Sequence, residues 1–130
     1  MQVIEISEPL DLQKISNEDV VLAMGFFDGV HRGHQAVIQC AKEIAARRHL
    51  KLAIMTFDRF PKIYFRDIDP QTVKYVTPLK QRLKLFEQQG IDIAYVARFD
   101  AAMAKLSPQY FVDHFMADLH AKVVVAGFDY

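Results

Sequence analysis

At 130 residues, with hydrophobic side chains at 52% and charged ones at 25%, the chain has the size and make-up of one compact domain, which excludes a disordered or collagen-like polymer. Lys plus Arg and Asp plus Glu balance at 16 each, so no whole-molecule field draws it to nucleic acid or to an anionic membrane, and any anion it binds must be held locally. The opening segment 1–20 lacks the basic start and apolar run of a signal peptide, no stretch has the length of a membrane span, and the one cysteine, Cys40, has no internal partner; a cytoplasmic location is expected.

Taken in chain order, residues 3–6 predict a short edge strand, and the apolar run 20–26 predicts a buried one. Residues 35–48 predict a helix in which Val37, Cys40, Ala41, Ile44 and Ala45 share a face, which makes Cys40 a core residue. The run 52–57 is a second buried strand. Segment 58–76 then breaks the rhythm with Pro61, Pro70 and the aromatics Phe60, Tyr64, Phe65 and Tyr75, and reads either as a long functional loop or as an ordinary connection. Thr77 as N-cap, Pro78 at the first helical position, an apolar stripe at Leu79, Leu83 and Phe86, and Gly90 as stop predict a helix over 78–89. A third strand follows at 91–96. Ser107-Pro108 repeats the cap-then-proline signal before a helix that turns Phe111, Phe115 and Leu119 inward, and 122–126 is a fourth strand. Strands alternating with amphipathic helices predict an α/β fold: a single domain over 1–130 with a Rossmann-like, doubly wound, mostly parallel sheet in three layers. Ligand is expected at the carboxyl ends of the strands at 20–26 and 122–126.

The stretch GFFDGVHRGH, residues 25–34, falls between a buried strand and the start of a helix. Such a turn opens into the crevice of an open α/β sheet, where a helix N-terminus presents unpaired N–H groups and partial positive charge to an anion. Gly25, Gly29 and Gly33 remove side chains where backbone has to approach a phosphate or adopt positive φ. His31 and His34, three apart, project from one side of the incipient helix and offer two donors to one polyphosphate. The pair lacks the glutamate of a metalloprotease helix and any cysteine nearby, so no protein metal site is assigned. His49, His114 and His120 read as ordinary surface or core residues.

The wording of this stretch resembles the HxGH nucleotidyltransferase superfamily, and FDGVHRGH in particular is similar to bacterial FAD synthetases, the bifunctional riboflavin kinase/FMN adenylyltransferases. Thr56-Phe57-Asp58 with Pro61, FDAAMAKLSPQYFVDHF over 99–115 and the final Gly127-Phe128-Asp129-Tyr130 resemble further motifs of that family, so the likeness runs from about Val20 to the end. Arg59-Phe60-Pro61 departs from the family's usual Pro-His-Pro run. The resemblance implies transfer of AMP from ATP to FMN, giving FAD and pyrophosphate, with Mg²⁺ accompanying the ATP. It implies catalytic roles for His31 and His34, and nucleotide contacts at Gly25, Phe26, Asp28, Gly29 and Gly33. Asp28 serves equally well as a helix cap. The resemblance places flavin contacts at Asp129, Phe57 and Pro61, with core packing as the competing reading of Phe57. It also implies that the chain stops short of a later phosphate-binding segment and of a riboflavin kinase domain in the native protein. The alternatives are another HxGH nucleotidyltransferase acting on a different phosphate ester, and a nucleotide- or flavin-binding fragment without turnover.

Overall fold

The structure, a computed structural model, describes residues 1–25, 27, 32–58 and 78–126. Five strands run parallel in one sheet: β1 (Gln2–Ile6), β2 (Val20–Met24), β3 (Lys51–Phe57), β4 (Ile93–Ala97) and β5 (Ala121–Ala126), in the order β1-β4-β3-β2-β5. The register sets Met24 beside Met55 and Ala126, so β2 and β5 end level and β3 runs two residues further. From β2 the chain steps outward through β3 to β4, then returns to lay β5 on the other flank of β2. That reversal is a topological switch point, where open α/β sheets hold their ligands.

Alternation along the strands separates two cores. Val21, Ala23, Leu52, Ile54 and Ala94 face helix α1 (Arg32–Arg48) and helix α2 (Leu79–Gln88), which bury Ile38, Ala41, Ala45 and Phe86 against them. Val20, Leu22, Met24, Ala53, Met55, Ile93, Tyr95 and Ala97 face the other way, onto Met103 of the short helix α3 (Ala101–Ala104) and onto Phe115, Met116 and Leu119. These last three belong to and follow helix α4 (Pro108–Phe111), which continues as a wide π turn over Val112–Met116. Three layers result, as the alternation of strands and helices predicts.

Local signals account for the element ends. Ser107 Oγ accepts the Tyr110 N–H at 3.1 Å and caps α4, and Asp100 Oδ1 accepts the Met103 N–H at 3.0 Å and caps α3. Gly90 adopts φ +84° after α2, which a side-chain-free residue tolerates. His49 and His120, at φ +56° and +60°, end the two other long helical stretches in the same left-handed region, an uncommon setting in which histidine is enriched. Several expectations shift. Helix α1 begins at Arg32 and not at residue 35, which brings Gly33 and His34 into its first turn. β2 ends at Met24, before the aromatic pair, and β4 starts at Ile93. Cys40 is exposed, a correction to its core assignment: Ile38, Ala41 and Ala45 define the buried stripe, and Cys40 lies one residue from Ala41, about 100° around the helix. Thr77 and the long segment from Arg59 onward lie outside the described residues.

Candidate functional site

The site is assembled where β2 hands over to α1. Gly25 leaves the ladder with one last bond, its N–H donating to the Met55 carbonyl at 3.2 Å. Two residues on, Phe27 takes φ +60° and turns its ring inward until only 1% is exposed. A left-handed phenylalanine is a strained conformation that surrounding packing has to enforce. The packing is specific. The Phe27 ring meets His34 edge-on, with centroids 5.3 Å apart and planes at 72°, and meets Phe86 at 5.7 Å and 83°. A Cβ built on Gly25 would stand 3.2 Å from the same ring, so a side chain there would press on the Phe27 ring.

His34 is half-buried in the first turn of a 17-residue helix that has no acidic residue at that end and carries Arg47 and Arg48 at the other. Both features suit the helix dipole, and they leave the N-terminal turn electropositive at the switch point. Lys42 of the same helix donates to the Gln89 carbonyl at 3.4 Å, tying α1 to the end of α2.

The neighbouring strand end is held by a guanidinium. Arg82, on α2, is 1% exposed, and its Nη1 donates to Thr56 Oγ1 at 2.6 Å and to the Phe57 carbonyl at 3.0 Å. Asp58 closes the junction to β4: its N–H donates to the Ala97 carbonyl at 3.0 Å and its Oδ1 accepts the Phe99 N–H at 2.9 Å.

Of the residues singled out from sequence, Gly25 and His34 converge on Phe27, and Gly33 sits beside His34 in the same helical turn. Phe57 is 5% exposed; its ring lies on the opposite face of the sheet, 5.1 Å from Phe99, in the core with Leu22 and Met55. Phe26, Asp28, Gly29, His31, Pro61 and Asp129 lie outside the described residues. Sequence reasoning missed Phe27 and Arg82. A buried left-handed aromatic has no sequence signature. Arg82 has one, since it interrupts the Leu79, Leu83, Phe86 stripe with a cation at a position the stripe buries. Among the described residues no group of three or more His, Cys, Asp or Glu could hold a metal ion. A groove of about 380 Å³ lined by Met1, Val3, Leu79 and Leu83 lies at the amino end of β1, away from the switch point.

A parallel sheet with a glycine at the end of β2 and an imidazole in the first helical turn beside its switch point is the arrangement in which open α/β domains receive anionic ligands. Known proteins narrow this. The FAD synthetase family model matches residues 13–130, and the chain belongs to the FAD synthetase family. It is 45% identical to the bifunctional riboflavin kinase/FMN adenylyltransferase of Listeria monocytogenes and 41% identical to that of Bacillus subtilis, in each case over 100% of this chain and 41% of the relative. The Escherichia coli protein of the same name is 33% identical over 92% of this chain and 38% of the relative. The chain thus spans about two fifths of the length of these curated relatives. A solved structure from Streptococcus pneumoniae, named as a macrolide-efflux protein, superposes with a TM-score of 0.84 at 30% identity, over 100% of this chain and 42% of that one. No helix among the described residues is long and apolar enough to cross a membrane.

Proposed function

We propose that the chain catalyses adenylyl transfer from ATP to FMN, releasing pyrophosphate and forming FAD. Its family membership supports this reading, as does the FMN adenylyltransferase name of relatives aligned along its whole length. One observation carries it: the His34 imidazole, braced by the Phe27 ring in the first turn of an acid-free helix, beside the switch point of a parallel sheet.

A phosphate oxygen of FMN attacks the α-phosphorus of ATP in line. A new P–O bond forms as the bond from the α-phosphorus to the pyrophosphate oxygen breaks, with no covalent enzyme intermediate. The nucleophile is already ionised, so no general base is needed, and catalysis consists of positioning and of donors aimed at the growing negative charge. His34 donates to the phosphates from the first turn of α1, alongside the free N–H groups of that turn. His31 joins it by virtue of its place in the motif, with Gly25, Phe26, Asp28, Gly29 and Gly33 forming the nucleotide side. Pro61 and Asp129 form the flavin side by virtue of their places in the family's motifs, together with Phe57 at the end of β3. Mg²⁺ is a hard cation that keeps water and phosphate ligands; bound to the triphosphate, it would supply charge neutralisation there.

The reaction places the chain in the cytoplasm, where both substrates occur. A riboflavin kinase domain in the native protein would deliver the phosphorylated flavin. The test is product formation from ATP and FMN, followed as FAD by chromatography and as released pyrophosphate. FAD appearing with ATP, and neither with CTP nor with other phosphate esters in place of FMN, is expected. Tight calorimetric binding of ATP and FMN without any pyrophosphate would replace the proposal with a binding module, and preference for CTP would replace it with a cytidylyltransferase.

A further inference from the structure

Among the described residues Arg82 is the largest fully buried side chain. Burying a guanidinium costs several kcal/mol unless its donors are satisfied, and a leucine or methionine at the same place in the α2 stripe would fill the volume without that cost. Its Nη1 is aimed at one locus: Thr56 Oγ1 at 2.6 Å and the Phe57 carbonyl at 3.0 Å. Thr56 directly follows Met55, whose carbonyl receives the N–H of Gly25. One turn further along α2, on the same face, Phe86 is fully buried and presents its ring to Phe27 at 5.7 Å, and Phe27 in turn abuts His34 at 5.3 Å. Helix α2 therefore grips the site twice, by a charged fork at the end of β3 and by a ring contact at the start of α1.

We infer that Arg82 is a positioning residue: it locks α2 onto the end of β3 and thereby, through Phe86 and Phe27, sets where the His34 imidazole stands relative to the neighbouring strand end. Its consequence for turnover rests on the adenylyl-transfer reading; its consequence for the His34 ring does not. A ring contact alone leaves α2 free to slide along its axis, whereas two bonds from one nitrogen to a hydroxyl and the next carbonyl fix that slide.

The test compares Arg82→Met, which keeps an apolar stem and removes the donors, with Arg82→Lys, which offers several donors from a single nitrogen as Nη1 does. The first readout is the NMR position of the His34 ring protons in the chain without substrate, which ring-current effects tie to the Phe27 geometry. Arg82→Met is expected to move them and Arg82→Lys to return them toward the parent. Unmoved resonances in a folded Arg82→Met protein overturn the inference. The second readout is steady-state FAD formation. Arg82→Met should lower kcat on the order of 10²-fold while the KM for ATP stays within about threefold, as expected when reacting groups are held but misplaced. A loss confined to KM, or one that Arg82→Lys shares in full and that tracks the folded fraction, overturns the inference. If the parent forms no FAD, the proposed function fails, and the His34 resonances decide on Arg82 alone. Should Arg82→Met not fold, Thr56→Val removes the 2.6 Å acceptor and must shift the His34 protons in the same direction; no shift counts against Arg82.

Discussion

On the α1/α2 side of the sheet, small residues such as Ala23, Ala41, Ala45 and Ala94 lie beneath two rings and a guanidinium, those of Phe27, Phe86 and Arg82. On the other side, Leu22, Met24, Met55, Ile93, Met116 and Leu119 interdigitate around Tyr95, Phe99 and Phe115. The first side is rich in contacts whose geometry is directional: ring edges on ring faces, and a two-acceptor bond from one nitrogen. On the second, ring contacts such as Phe57 on Phe99 at 5.1 Å sit within a larger apolar area remote from His34, which stabilises in proportion to what it removes from water. A site needs the first kind beside it, and a small domain needs the second kind to stay folded.

Truncation on the aliphatic side should therefore cost stability and spare chemistry. Phe115→Ala, at a fully buried ring, is expected to lower unfolding free energy by about 3–5 kcal/mol, read by denaturant titration, with turnover per folded molecule unchanged. Reduced turnover per folded molecule would erase the contrast between the faces. The reverse split is expected of His34→Ala: a loss of about 10²- to 10³-fold in rate, roughly 2.7–4 kcal/mol of barrier, with little change in melting temperature. Parent-like turnover would remove that imidazole from the mechanism.

Gly25→Ala sharpens the comparison because it strikes directional packing from beneath. The new methyl would lie 3.2 Å from a Phe27 ring that Phe86 and His34 hold on two other sides, so a destabilisation of about 1–3 kcal/mol is expected, accompanied by a fall in activity. A variant as stable and active as the parent would show that the ring moves freely. The smallest effect belongs to Tyr95, whose phenol is fully buried on the aliphatic side; burial pushes its pKa above the ordinary 10.0. The folded state then holds the proton more tightly than the unfolded chain. That contribution is complete below pH 10.0 and is lost as pH rises through the folded value. Tyr95→Phe should flatten the alkaline decline in stability, and equal alkaline slopes in the two proteins would exonerate the phenol.

The elements near the site were legible because their signals are local. Ser107 caps by its own hydroxyl and Gly90 stops a helix by its own backbone, so the letters suffice. Cys40 shows the limit of periodicity: the same apolar letters admit two faces about 100° apart, and only the partner surface, here Val21, Ala23 and Ile54 of the sheet, selects between them. Phe57 carried two readings, a flavin contact by its place in a motif and core packing, and strand alternation sends its ring to the face opposite His34, onto Phe99, as the packing reading expects.

By itself, the sequence determined the class of fold, the strand-to-helix turn that carries His34, and the family, since these depend on alternation, on caps and on short runs of neighbouring letters. Tertiary structure alone decided that Phe27 folds inward at positive φ, that Arg82 is spent on the end of β3, and that β2 and β5 lie side by side. Those facts join residues tens of positions apart, and the energy that selects them, ring packing and the satisfaction of a buried cation, exists only once the layers have closed.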